Sequence, residues 1–340
     1  MLDHSTFPTS QTQGIDHLPI PDTTLDLLDS VKVKRHVDRA IEMRRYTGSG
    51  DPEEYLLKKH CLVKIDGVVR ATPAGILCFG TDPQAIYPRA VVDIGHYRGV
   101  EPISFEVIHL EKDVGGTIFD QLKYVEDYLW KNTHHGMSLD RRSLERVEID
   151  EYPSAVIREL IANMLAHRDY TNHLSAARVQ IFRNRIEWVS PGGLPPGITV
   201  ENILVGQASR NPAILTILYE AGIVEAIGQG LDTVVAVLAR EGMEPPRFDD
   251  LGSFFMVTVK GRPPEAFTSG DSFTRLNDRQ RKILAFIRAN REVAPREILD
   301  LLSLERRTLQ RDIDLLETSN LIVVEGKGRG VRYRIMDAEV

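Results

Sequence analysis

Within Arg158-Glu159-Leu160-Ile161-Ala162-Asn163, a carboxylate and a primary amide stand four residues apart. On a helix that spacing projects both side chains from one face. A carboxylate so placed can orient an attacking water as a general base, and the amide oxygen of Asn163 can hold Mg²⁺ beside phosphate groups. Downstream, Gly192-Gly193 and then Gly228-Gln229-Gly230-Leu231 mark two places where backbone can approach a ligand closely. Gly228 and Gly230 precede a helical stretch, whose N-terminus favours phosphate oxygens. Each feature also has a plain structural reading. A Glu/Asn pair is common on the polar face of a core helix, and a short glycine pair often marks only a turn. Their order along the chain carries the information.

His167-Arg168-Asp169-Tyr170 needs separate weighing. Its letters echo a kinase catalytic loop, but no DFG, Gly-rich loop or strand lysine accompanies it, and the kinase reading fails. Two alternatives stay open. Arg168 can meet a phosphate while Asp169 assists Mg²⁺, or the two residues form an internal capping network. Ser209-Arg210-Asn211-Pro212 is similarly either a ligand contact or a helix start, with Asn211 capping and Pro212 in the first turn.

A second chemistry lies near the C-terminus. Arg306, Arg307, Gln310 and Arg311 share a polar helix face, and Arg and Gln make bidentate contacts to guanine and adenine edges. Lys327 and Arg329, in Gly326-Lys327-Gly328-Arg329-Gly330, place two cations on a flexible tip suited to phosphate contact. The plain alternative is a solvated helix and a basic turn, or a module that binds protein.

The elements that must position these groups follow from periodicity. Residues 1–30 are rich in Ser, Thr, Gln, Pro and Asp and read as a mobile arm. Residues 31–149 read as an α+β module, with helical runs at 39–44 and 52–60. Strands at 62–65 and 68–70 flank the Asp66-Gly67 turn, others are expected at 76–80 and 90–94, and a helix at 117–132. Residues 150–262 open with a helix after Pro153, and strands at 178–182 and 186–189 follow. The Gly- and Pro-rich segment 190–197 reads as a loop. Helices lie near 213–215 and 231–234, and a strand near 254–259. Residues 263–273 form a linker. Over 274–340, three helices (the last, 305–316, capped by Ser303) precede strands at 321–325 and 331–335, which is winged-helix order.

Composition bounds the function classes. The 340 residues are 42% hydrophobic and 27% charged, ordinary for globular domains, and no apolar run approaches a membrane span. The acidic, polar start lacks the features of a secretory signal, and Cys61 and Cys78 sit in apolar runs as reduced thiols. The expected setting is cytoplasmic, without membrane contact. Net charge is −7, yet Thr274–Val340 carries 14 Lys and Arg against 11 Asp and Glu, a mildly basic tail on an acidic body. No GxxxxGK[ST] loop occurs, so a helicase motor is not supported.

Taken in order, these motifs resemble the GHKL nucleotide-binding fold of gyrase-type, Hsp90-type and histidine-kinase ATPases. More closely, residues 31–262 resemble bacterial and archaeal predicted transcriptional regulators with a GHKL-like ATP-binding domain, often labelled RecG-like. The residues carrying the match are Tyr152-Pro153, Arg158-Glu159, Asn163, Ala166-His167-Arg168-Asp169-Tyr170, Arg185-Ile186-Glu187 and Ser190-Pro191-Gly192-Gly193-Leu194-Pro195. Ser209-Arg210-Asn211-Pro212, Gly228-Gln229-Gly230 and Ala74-Gly75-Ile76-Leu77-Cys78-Phe79-Gly80 complete it. The Schlafen-type AlbA_2 domain that usually begins such proteins is not expected here. Ser190 stands near the place where GHKL ATPases carry the Asp that binds the adenine amino group, and the segment between the glycine pairs shows no clear ATP-lid pattern.

The resemblance implies an α+β protein: a GHKL-like (Bergerat-type) α/β sandwich preceded by a smaller α+β module and followed by a winged helix-turn-helix. It implies ATP or ADP with Mg²⁺ at Asn163, Asp169, Arg168, Ser190, Gly192, Gly193, Gly228 and Gly230. Double-stranded DNA is the expected partner at Arg306, Arg307, Gln310, Arg311, Lys327 and Arg329, bound by a homodimer. The leading expectation is a nucleotide-sensing transcriptional regulator. The alternatives are a Mg²⁺-dependent ATPase with Glu159 as base, recruited to DNA, and a regulator with an empty, structural pocket.

Overall fold

The computed structural model describes residues 14–139, 146–206, 208–224, 230–263, 277–290, 292–302, 305–318, 321–326 and 328–335. In chain order the elements are α1 (Ser30–Glu42), α2 (Pro52–Lys58), β1 (Leu62–Ile65), β2 (Val68–Ala71), α3 (Pro73–Phe79), β3 (Val92–Tyr97), β4 (Val107–Val114), α4 (Ile118–Asn132), β5 (His135–Leu139) and β6 (Arg146–Asp150). There follow α5 (Ser154–Ala166), β7 (Ala177–Phe182), β8 (Arg185–Pro191), α6 (Pro212–Glu220), α7 (Gly230–Arg240), β9 (Arg247–Asp250) and β10 (Phe254–Lys260). The last group is α8 (Asp278–Asn290), β11 (Glu292–Val293), α9 (Pro295–Leu302), α10 (Arg306–Thr318), β12 (Ile322–Glu325) and β13 (Arg332–Ile335). The chain divides into two compact units, Met1–His134 with Asp150–Arg262, and His135–Ile149 with Pro263–Val340.

The first unit is organised by a six-stranded sheet in the order β4-β3-β7-β8-β10-β9. Neighbours run antiparallel except β3 and β7, which are parallel. Ile94, Val179, Trp188 and Val257 fall opposite one another across four strands and form one buried row of the core. α5 lies between α4 and α7. Its apolar residues do not form a single stripe: Val156, Ile157, Leu160, Ile161, Met164 and Leu165 are all buried, as expected of a helix enclosed on most sides. A Thr117/Asp120 capping box starts α4.

The expected boundary between residues 149 and 150 does not divide this sheet, because β3 and β4 from the first stretch pair directly onto β7 from the second. The expected strand at 76–80 is the helix α3. A short apolar run fits either state, and Pro73 at the first turn with Thr72 accepting from the Gly75 N–H decides for helix. Part of the expected arm is packed structure. Asp16 is buried and its Oδ2 accepts the Ile214 N–H at 3.0 Å, and Leu28 joins the core. Residues 1–13 lie outside the described residues, as do 264–273 of the expected linker.

In the second unit α8, α9 and α10 accompany the sheet β11-β13-β12, whose short strand β11 lies between α8 and α9. Ile283, Ile287, Ile298, Leu309, Ile313, Leu316 and Tyr333 form its core. The buried Asp312 carboxylate accepts from Arg279 Nε at 2.6 Å and Gln280 Nε2 at 2.7 Å, tying α8 to α10. Burial alone would raise its pKa, but these two hydrogen bonds hold it below the usual carboxylate value. Ser303, the expected cap, lies outside the described residues. Helix, helix, helix and hairpin stand in the expected winged-helix order, with β11 added.

Candidate functional site

A cavity of about 320 Å³ in the first unit is lined by α5, β8, β10, the 192–209 segment and the start of α7. Its polar end is built from Glu159, Asn163 and Gly230. Asn163 Nδ2 donates to the Glu159 carbonyl and to Glu159 Oε1, each at 2.8 Å. That double donation fixes the amide, so its oxygen faces away from the carboxylate. α7 begins directly against this pair: a Cβ on Gly230 would sit 2.0 Å from Glu159 Oε1 and 2.7 Å from Asn163 Nδ2. Only glycine admits such an approach, and it brings the positive end of α7 to the cavity, with Asp232 in the same turn. Gly228 lies outside the described residues.

The Gly192-Gly193 turn, which follows β8, also lines the cavity. β8 itself runs to Pro191, two residues further than the sequence reading placed it. Gly192 has φ +97°, and its N–H donates to the Ser253 carbonyl at 2.9 Å. Ser190 is buried on the cavity wall and its hydroxyl donates to the Met164 carbonyl at 2.8 Å, holding β8 against α5. His167 also lines the cavity. Burial, aided by the Arg210 cation, lowers its pKa to about 4, so the imidazole is neutral at pH 7.

Arg168 and Asp169 do not join Glu159 and Asn163 on the cavity wall. The buried Arg168 guanidinium donates to the carbonyls of Val91 at 2.8 Å, Ser175 at 2.9 Å and Arg89. Its cation also lies 5.4 Å from the Tyr170 ring centroid. A phosphate would have to displace all three carbonyls, so the expected phosphate role is corrected to a structural one. Asp169 pairs at 3.3 Å with Arg210, whose Nη2 also donates to the Gly193 carbonyl at 2.7 Å. Arg210 is thus the residue that braces the glycine turn, and sequence reasoning missed that role because the brace spans 17 residues. Asn211 does stand at the start of α6, but makes no side-chain cap there. Its Nδ2 donates instead to the carbonyls of Ala166 and Arg168, closing the C-terminal end of α5.

In the second unit, Arg306, Arg307, Gln310 and Arg311 are all exposed along α10, opposite its buried Leu309 and Ile313. Gln310 Nε2 donates to Asp314 Oδ1 at 2.7 Å, which orients the amide along the helix. Arg329 belongs to a short turn, Gly328–Gly330, between β12 and β13. Lys327 lies outside the described residues.

Residues 175–259 match the family model described as "Putative ATP-dependent DNA helicase recG C-terminal", and residues 279–332 match the model described as "HTH domain". The crystal structure of the DIP2311 protein from Corynebacterium diphtheriae is similar over 96% of this chain, with a TM-score of 0.59 and 19% identity. This chain spans 65% of that protein's length, and at such identity the likeness concerns the fold alone. A comparison with curated proteins gave no match. No helix among the described residues is long and apolar enough to cross a membrane. The chain carries an ATPase-like domain of the RecG C-terminal kind followed by a helix-turn-helix domain, the domain order of the regulator family that its motifs resemble.

Proposed function

We propose that this protein is a cytoplasmic, homodimeric, DNA-binding transcriptional regulator whose ATPase-like domain senses ATP or ADP with Mg²⁺. The observation that carries the reading is the junction of Glu159, Asn163 and Gly230 at one end of the cavity. The donor set fits a magnesium nucleotide. No Lys or Arg lines the cavity among the described residues, and positions 207 and 225–229 hold none in the sequence. The phosphates' negative charge is met by the start of α7 and by the divalent cation, which supplies the positive charge these side chains lack.

The chain's own groups divide the work. Asn163 offers its amide oxygen to the cation, while its nitrogen holds Glu159. Peptide N–H groups at the start of α7 receive phosphate oxygens. The Gly192-Gly193 turn lets backbone meet the base, and Ser190 presents an oxygen whose proton is already directed to Met164. Replacing a carboxylate acceptor by this neutral oxygen costs adenine recognition about 1–3 kcal/mol. In the second unit, Arg306, Arg307, Gln310 and Arg311 enter the major groove, with Lys327 and Arg329 on the flanking backbone. Bound nucleotide changes DNA affinity to the extent that it favours one arrangement of the dimer over another.

Selection from a random duplex library, with and without Mg²⁺-ATP, tests the whole reading. A recovered sequence whose affinity changes with nucleotide is expected; a site bound identically in both conditions refutes sensing, and failure to enrich any sequence refutes specific DNA recognition. One observation favours an enzyme as the second reading: Asn163 orients the Glu159 carboxylate as a general base requires. Glu159→Ala separates the two, since an ATPase loses turnover while keeping nucleotide, and a sensor has no turnover to lose.

A further inference from the structure

β4 is an outer strand of the six-stranded sheet, and among the described residues only β3 pairs with it. It is eight residues long and exposed over almost its whole length. Edge strands of that kind usually carry charge or distortion along them to prevent pairing. The pairing of β4 with β3 shifts register about Ile108 and again about Lys112 and Asp113, where Asp113 has φ +57°, and between those shifts His109, Leu110 and Glu111 keep a regular register; Leu110 is 52% and the neighbouring Ile108 53% exposed. The charged residues Glu111, Lys112 and Asp113 are confined to its second half.

The geometry points to a second copy of this chain as the occupant of that edge, with the two β4 strands pairing antiparallel about a two-fold axis through Leu110. Directly opposed residues in a sheet share a face, so a symmetric antiparallel pair must set some residue opposite itself. Only three positions centre the strand. An axis through His109 opposes two histidines, and an axis through Glu111 opposes two carboxylates. An axis through Leu110 opposes two leucines and sets His109 against the partner's Glu111 twice, all within the regular stretch.

The neighbouring side chains are already arranged for this register. His109 and Glu111 lie on the same face, 3.1 Å apart, with the imidazole stacked on Tyr128 of α4 at 5.5 Å between centroids. Tyr124, 42% exposed on the same helix, lies beside Glu111, whose charge helps raise the phenol's pKa. A perpendicular two-fold axis keeps both α4 helices on one side of the joined sheet, so these tyrosines continue the contact. Leu110 then meets its counterpart beside Gly95, which offers no side chain to separate them. This surface belongs to the dimer of the proposed function, but it rests on the strand's pattern and needs neither nucleotide nor DNA.

The test is carried out on the full chain without ligand. Leu110→Cys places two thiols across the axis, whereas Ile108→Cys places them well apart; Cys61 and Cys78 are fully buried and do not interfere. Under mild oxidation the first variant is expected to run as a covalent dimer on a non-reducing gel and the second as a monomer. In sedimentation, Leu110→Lys is expected to weaken the dimer about tenfold or more, with an unchanged circular dichroism spectrum. Glu111→Lys is expected to weaken it too, and His109→Glu with Glu111→Lys to restore it. A monomeric parent chain at tens of micromolar overturns the proposal. So does a dimer that Leu110→Cys fails to cross-link, an outcome that leaves a homodimer through another surface and the nucleotide reading intact.

Discussion

The closest approach in the candidate site gives a prediction that needs no ligand. A methyl group on residue 230 would meet Glu159 Oε1 at 2.0 Å, whereas ordinary contact begins at 3.4 Å. Gly230→Ala therefore forces the carboxylate or the start of α7 to move by more than an ångström, breaking the Asn163–Glu159 hydrogen bond. A bond to a charged group contributes about 1.5–3 kcal/mol, and the displaced carboxylate is buried. Against this, alanine is favoured over glycine in a helix by up to about 1 kcal/mol. The net expectation is a loss of about 2 kcal/mol, read as a lower urea midpoint with unchanged slope. In a Glu159→Ala background the obstacle is gone, and the same Gly230→Ala change should be neutral or stabilising. A double-mutant cycle thus predicts about 2–3 kcal/mol of coupling between positions 71 residues apart in sequence. An equal cost in both backgrounds would refute the juxtaposition of α7 with Glu159.

Arg168→Met leaves three buried carbonyls without their donor and should lower stability by about 3–5 kcal/mol in urea unfolding; unchanged stability with lost nucleotide binding would return Arg168 to the ligand site. His36 is buried against Tyr55 at 2.6 Å, in a cluster with Phe79, Phe119, Lys59 and Glu220, and burial with the Lys59 and Arg39 cations lowers its pKa to about 4. The unfolded chain takes up that proton near 6.5, so the neutral histidine's contribution is complete above pH 6.5 and is lost as pH falls toward 4, by about 3 kcal/mol. Urea midpoints measured from pH 7.5 to 4 should therefore fall more steeply for the parent chain than for His36→Phe, and parallel slopes would refute the assignment. Removing Arg306, Arg307 or Arg311 singly should weaken DNA binding, with the salt slope reduced by about 1 for each that contacts phosphate. Fluorescence anisotropy across a salt series measures this, and unchanged affinity for all three variants would remove α10 from the interface.

Much of the architecture was legible because it is locally written. Asp66-Gly67 between β-branched runs specified the β1/β2 hairpin, the amphipathic period over 117–132 specified α4, and the three C-terminal helices kept their period. The Glu159/Asn163 pair was legible for the same reason, since four residues on one helix is a fixed geometry. What failed depends on distant partners. α3 is the exception, since its signal is local: the Thr72 cap and Pro73 at the first turn make a helix of a run equally suited to a strand. The first stretch joins the sheet through the β3–β7 pairing, which bridges 85 residues and leaves no mark in composition. Arg168 looked like a phosphate ligand because an arginine beside an aspartate invites that reading, while the carbonyls it serves at Arg89 and Val91 lie almost 80 residues earlier. Asn211 capped a helix end other than its own.

The central claim is that the cavity holds a magnesium nucleotide through Asn163 and the start of α7. Thermal unfolding of the purified protein with and without millimolar Mg²⁺-ATP or Mg²⁺-ADP tests it most directly. At about 100 times the dissociation constant, bound nucleotide adds roughly 2.7 kcal/mol, a rise of several degrees. The account predicts that rise for the parent chain and its loss in Asn163→Ala. No rise with either nucleotide, or an equal rise in Asn163→Ala, would contradict it.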